Sequence, residues 1–149
     1  MDNKYKIIVE LYHWKDELKV PNFLLGTDNR TEYIGYVLYN KEANLPMLFL
    51  NFKALKEESQ LETIGYLLHE LGHIKHRTYV GKFTTEFKIR SEYLAESFAL
   101  KQITKYFPQY KEAYINSWKL SINDKVWAKQ HKIHYKAFSQ IKEYKGDIK

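Results

Sequence analysis

The stretch from Leu67 to Arg77, Leu-Leu-His-Glu-Leu-Gly-His-Ile-Lys-His-Arg, constrains this chain more than any other. On a helix, His69 and His73 are rotated by only ~40° and separated by about one turn, so both imidazoles can reach one metal ion. Glu70 projects to the side of that pair, where a carboxylate can act as a base without filling a ligand position. The segment must therefore be helical for its residues to work together. A third ligand must come from elsewhere.

The surrounding pattern supplies the helix. Ser59-Gln60-Leu61-Glu62 has the form of a capping box, and Leu61, Ile64, Leu68 and Leu71 make a stripe for burial. Gly65 and Gly72 fall on the same side as His69 and His73. Each glycine costs a helix about 1 kcal/mol against alanine, so two on one face need a reason: close approach of another segment or of a substrate, or simple helix packing.

Composition sets the boundaries. At 149 residues the chain fits one domain with a real core, and the absence of cysteine removes disulfides and all-thiolate zinc sites. The polar N-terminus and the lack of a long apolar run lead us to expect a cytoplasmic protein with no membrane partner. The net charge of +6 is unevenly placed: residues 1–100 carry 13 Lys/Arg against 14 Asp/Glu, and residues 101–149 carry 11 Lys against 4 Asp/Glu. Those late lysines interleave with Tyr, Trp and Ile at helical spacing, so they read as a solvated face of amphipathic helices. No DNA-reading helix is recognisable, and direct sequence-specific nucleic-acid binding is not expected.

Along the chain, Ile7, Ile8, Leu11, Trp14 and Leu18 predict an amphipathic helix over Lys6 to Leu18, with His13 as a surface or packing residue rather than a ligand. Pro21 to Arg30 reads as turn. Tyr33 to Tyr39 and Leu45 to Phe52 read as an antiparallel pair, with Pro46 placing the start of the second run at an edge or outside the ladder. Thr78 to Thr85 reads as a turn or short hairpin. A helix follows from about Glu86 to Tyr106, carrying Glu92, Ala95, Glu96, Ala99 and Ile103 on one face. Phe107-Pro108 breaks it. Two further helices, Pro108 to Leu120 and Asn123 to Tyr144, carry Tyr114, Trp118, Trp127, Phe138 and Ile141 for packing, and the tail from Gly146 is expected to fray. The expected fold is α+β: a small, mostly antiparallel sheet on a mainly helical body. Its single domain divides into an N-terminal helix and sheet (1–58), metal-site helices (59–106) and basic C-terminal helices (107–149).

A catalytic zinc site uses three protein ligands and an open position. Glu92 lies 19 residues after His73, enough for a turn and an antiparallel return, and is taken as the third ligand. Glu96, one turn further on, would accept a hydrogen bond from a ring nitrogen of His69 or His73. Spacing alone also admits the exchange of these two roles. Glu70 would serve as general base, with one Zn2+ per chain. His76, Arg90, Tyr93, His131 and His134 are candidate donors to an oxyanion.

His69-Glu70-Leu71-Gly72-His73 followed by Glu92-Tyr93-Leu94-Ala95-Glu96-Ser97-Phe98-Ala99 resembles the ImmA/IrrE-type zinc metallopeptidases, which commonly show His-Glu-Leu-Gly-His and then Glu-x-x-Ala-(Asp/Asn)-x-Phe-Ala. The resemblance covers Tyr33 to Tyr106. It implies a zincin-like fold, His69, His73 and Glu92 as metal ligands, and Glu70 as base. Glu96 departs from the family's Asp or Asn, and His76 comes one residue earlier than the histidine often found there. The implied activity is hydrolysis of a peptide bond in a helix-turn-helix repressor of a phage, mobile element or stress response; the chain itself is expected to be a monomer or weak oligomer. The extended metzincin pattern fails because Tyr79 stands where its third histidine belongs. The alternatives are a SprT-like, DNA-associated protease, and a non-enzymatic protein that keeps a zincin metal shell and binds a partner or nucleic acid.

Overall fold

The computed structural model describes residues 3–147. They gather into two compact units that divide between Val80 and Gly81. The chain is α+β, and the two expected metal-site helices fall one in each unit.

The first unit opens with helix α1 (Asn3–Glu17), whose Ile7, Leu11 and Trp14 are buried as their spacing predicts, while His13 is exposed. Strands β1 (Leu24–Thr27), β2 (Gly35–Asn40) and β3 (Leu45–Leu50) follow. They form one sheet in the order β1-β3-β2, with β2 antiparallel and β1 parallel to β3. The antiparallel pair is the expected one. The sheet as a whole is mixed rather than mostly antiparallel, because the segment expected as turn contributes β1. Gly26 leaves room there for the side chains of β3: a Cβ would lie 2.8 Å from Met47 Cε and 2.9 Å from the Phe49 ring.

Pro46 lies inside the central strand, opposite Tyr39 of β2. It is tolerated because β1 pairs only with Met47 to Leu50, leaving the start of β3 paired on one side. The expectation of a proline at the end of a ladder thus holds for the β1 side alone. The loop from β1 to β2 wraps the far end of β3 and is tied by buried Asn51. The Asn51 amide N–H donates to Ile34 O (2.8 Å), its Nδ2 donates to Thr31 O (3.0 Å), and its Oδ1 accepts from Ala54 N (2.9 Å). That last bond caps the short helix α2 (Phe52–Leu55).

Helix α3 (Gln60–Lys75) packs on β2 and α1. Ser59 caps it, Oγ accepting from Glu62 N at 3.2 Å, and Ile64, Leu67, Leu68, Leu71 and Ile74 are buried. At its other end Lys75 Nζ donates to Leu18 O (3.4 Å) and Lys19 O (3.2 Å), so it also closes the C-terminus of α1.

The second unit is helical. Thr84 caps α4 (Thr85–Tyr106), accepting from Phe87 N at 3.1 Å. A 3₁₀ turn at Pro108–Tyr110 leads into α5 (Lys111–Ile122), then α6 (Lys125–Gln130) and α7 (Lys132–Phe138), and a last 3₁₀ turn at Lys142–Tyr144. The single helix expected over Asn123 to Tyr144 is therefore broken, first at His131. The cause is packing: the rings of Trp127 and Phe138 lie 6.1 and 4.6 Å from that of Trp118. Eleven residues of straight helix would hold them about 16 Å apart. Lys119 is buried, and its Nζ donates to Asp147 O at 3.0 Å, so the backbone as far as Asp147 is tethered rather than frayed. Apart from Lys111 and Lys119, the described lysines of the last third are exposed, as a solvated face requires. No helix among the described residues is long and apolar enough to cross a membrane.

Candidate metal centre

Because α3 is continuous from its Ser59 cap to Lys75, His69, Glu70 and His73 come together as their spacing demands. Their potential ligand atoms lie within 4.8 Å of one another, the one such group of three among the described residues. The two imidazole rings meet edge to face with centroids 4.9 Å apart. Glu70 is buried and His69 half-buried. Two imidazoles and a carboxylate are metal-ligating groups, and this cluster could hold a metal ion.

The sheet contributes to the cluster through a residue with no side chain. Gly35 begins β2, and a Cβ there would sit 2.9 Å from Phe49 O, 3.0 Å from Leu50 Cδ2 and 3.5 Å from Glu70 Cγ. Glycine therefore lets the edge strand lie close against the Phe49 carbonyl of β3, with the Glu70 side chain at ordinary contact distance beside it. Nothing in the sequence around Gly35 marks this role, because the atoms it accommodates, Phe49 O and Leu50 Cδ2, belong to the neighbouring strand.

The end of α3 also bears on the cluster. Arg77 adopts a left-handed conformation (φ 53°). Its N–H donates to Ile74 O (3.2 Å), while Thr78 N–H donates to His73 O (3.0 Å). This pair of bonds is a Schellman motif, here built with arginine where glycine is usual. It brings the buried Thr78 Oγ1 to 2.7 Å from His73 Nδ1 and 3.3 Å from His73 O.

In the second unit, Glu92 and Glu96 stand one turn apart on α4, as expected, but in different surroundings. Glu92 is partly exposed, with Oε2 3.4 Å from His134 Nε2 on α7. Glu96 is fully buried and its Oε2 accepts hydrogen bonds from Tyr114 (2.8 Å) and Tyr144. Burial, followed by the nearby Glu96 charge, raises both tyrosine hydroxyls well above their ordinary pKa. Among the other candidate donors, exposed His76 is the C-cap of α3, Arg90 lies over the Tyr93 ring at 5.3 Å, and His131 packs against Trp127 at 5.3 Å.

Compared with protein-family models, curated proteins and solved structures, the chain matches none. The chemistry of the cluster must therefore be argued from its own residues. Sequence reasoning found the three residues of α3 because their signal is local periodicity. It missed Gly35 and Thr78, and it left His134 undistinguished among five candidates, because each acts through a contact made by the fold.

Proposed function

We propose that this chain is a zinc-dependent endopeptidase acting on a specific cytoplasmic protein, with a helix-turn-helix repressor as the substrate class implied by the family resemblance. The observation that carries the reading is the convergence of His69, Glu70 and His73 within 4.8 Å on one capped helix. His69 and His73 would hold the metal through ring nitrogens, and motif and spacing support Glu92 as the residue that would supply a third ligand. Its partial exposure supports that choice over Glu96, whose buried carboxylate already accepts two tyrosine hydroxyls.

Zinc bound at such a set supplies Lewis-acid polarisation of a carbonyl and acidifies water. Glu70 takes the proton of the attacking water and returns it to the leaving amine nitrogen, so no covalent enzyme intermediate is needed. β2 lies at an edge of the sheet, and its first residue, Gly35, adjoins Glu70. An extended peptide adding to that edge would pass the base with its backbone hydrogen-bonded and its side chains alternating, which suits a peptide substrate.

The test is incubation of the zinc-loaded protein with candidate repressors encoded beside its own gene. A defined cleavage product is expected from the wild type and none from folded Glu70→Gln. Equal cleavage by both would remove Glu70 from the chemistry and with it this mechanism.

A further inference from the structure

We infer that Thr78 is the positioning residue that fixes the His73 ring for metal binding, so that the C-terminal cap of α3 is part of the metal centre. This rests on the reading of His73 as a ligand.

The argument is one of proton accounting. Thr78 Oγ1 has a single proton and lies 3.3 Å from His73 O, an atom that can only accept. With the hydroxyl proton directed there, the contact of 2.7 Å between Oγ1 and His73 Nδ1 is made by a proton on the nitrogen, and Nδ1–H donates to Oγ1. A neutral imidazole with its proton on Nδ1 carries its lone pair on Nε2. The nitrogen presented for coordination is therefore Nε2, and the ring is held against rotation by a bond at its opposite side.

The backbone makes this arrangement specific. Thr78 reaches the ring because the Schellman motif reverses the chain through Arg77 and anchors Thr78 N–H on the carbonyl of His73 itself, at 3.0 Å. One residue thus grips both the backbone and the side chain of the ligand. Thr78 is 8% exposed, so water competes poorly for either bond. Left-handed Arg77 carries a conformational cost that the reversal requires.

Thr78→Val keeps the shape, removes the hydroxyl and leaves the Schellman bonds untouched; Thr78→Ser keeps the hydroxyl. Two measurements on folded full-length protein decide the matter. Zinc affinity, read by competition with a chromophoric chelator, should fall on the order of 10–100-fold in Thr78→Val and recover in Thr78→Ser. Long-range proton–nitrogen NMR of the metal-free protein, at a pH where the ring is neutral, should place the His73 proton on Nδ1 in the wild type and lose that preference in Thr78→Val. Unchanged zinc affinity in Thr78→Val, or a wild-type proton on Nε2, would overturn the proposal. If the wild type takes up no zinc but His73 holds its proton on Nδ1 through Thr78, the metallopeptidase reading fails and takes the metal-binding role of Thr78 with it, leaving only the hydrogen bond that orients the ring.

Discussion

Helices α3 and α4 each carry two ionisable groups one turn apart, and the fold treats the two pairs in opposite ways. On α3, His69 stays partly accessible beside buried Glu70, with the ligand atoms of His69, Glu70 and His73 close enough to share one ion. On α4, Glu96 is withdrawn completely and held by two tyrosine hydroxyls, while Glu92 keeps some exposure and faces His134. The same spacing thus serves a candidate ligand set in one unit and, at Glu96, the internal order of the other. What separates them is burial with satisfied hydrogen bonds. A buried carboxylate accepting hydroxyl protons stabilises its surroundings, whereas a partly exposed group keeps the freedom to exchange water for a ligand.

This contrast breaks first at Glu96. Glu96→Ala removes the buried acceptor shared by the Tyr114 and Tyr144 hydroxyls, which keep each other as partners. With one buried group left unsatisfied, the loss of stability should be about 1–3 kcal/mol by denaturant titration. Glu92→Gln should change stability by less than about 1 kcal/mol, since its pairing with His134 is partly exposed, yet it should weaken zinc binding. If Glu96→Ala were tolerated and Glu92→Gln unfolded the protein, the assignment of structural and ligand roles would be reversed.

A smaller effect is expected at the cap of α3. Arg77→Gly relieves a left-handed residue within a Schellman motif and should stabilise the protein by roughly 1 kcal/mol, with zinc affinity unchanged because Thr78 keeps its bonds. A loss of stability would show that the arginine side chain outweighs its backbone cost.

The smallest effect concerns Glu58, just before α3, whose carboxyl is pushed up to about 7 by its hydrogen bond with Glu62, then by burial and by the Glu62 charge. The folded state binds this proton more tightly than the unfolded chain. The resulting stabilisation is therefore fully present below about 4.5 and is lost as pH rises toward 7. Glu58→Gln should flatten that part of the profile of melting temperature against pH. An unaltered profile would place the slope elsewhere.

How much of this was legible in the sequence depends on the range of the interaction that writes each feature. The cap at Ser59, the stripe of α3, the face of α4 and the β2–β3 pair follow from neighbours within a few residues, and local pattern revealed them. Strand β1 is four residues long, contains Gly26, and pairs with a strand more than 20 residues away, so it looked like turn. The break at His131 has no proline or glycine to announce it and arises because Trp127 and Phe138 converge on Trp118. For the candidate site, residue types and helical spacing identified the α3 trio. The partners that orient such groups, Thr78 for His73 and His134 for Glu92, required the chain reversal after α3 and the packing of α7 on α4.

The central claim is that His69 and His73 hold a catalytic metal beside Glu70. Its most direct test is the zinc content of protein purified without chelator and then offered zinc, for wild type, Glu70→Gln and His69→Ala. One zinc per chain is expected in the first two, with loss in folded His69→Ala. A wild type that neither contains nor takes up zinc, or a His69→Ala variant that binds it as tightly as wild type, would contradict the account.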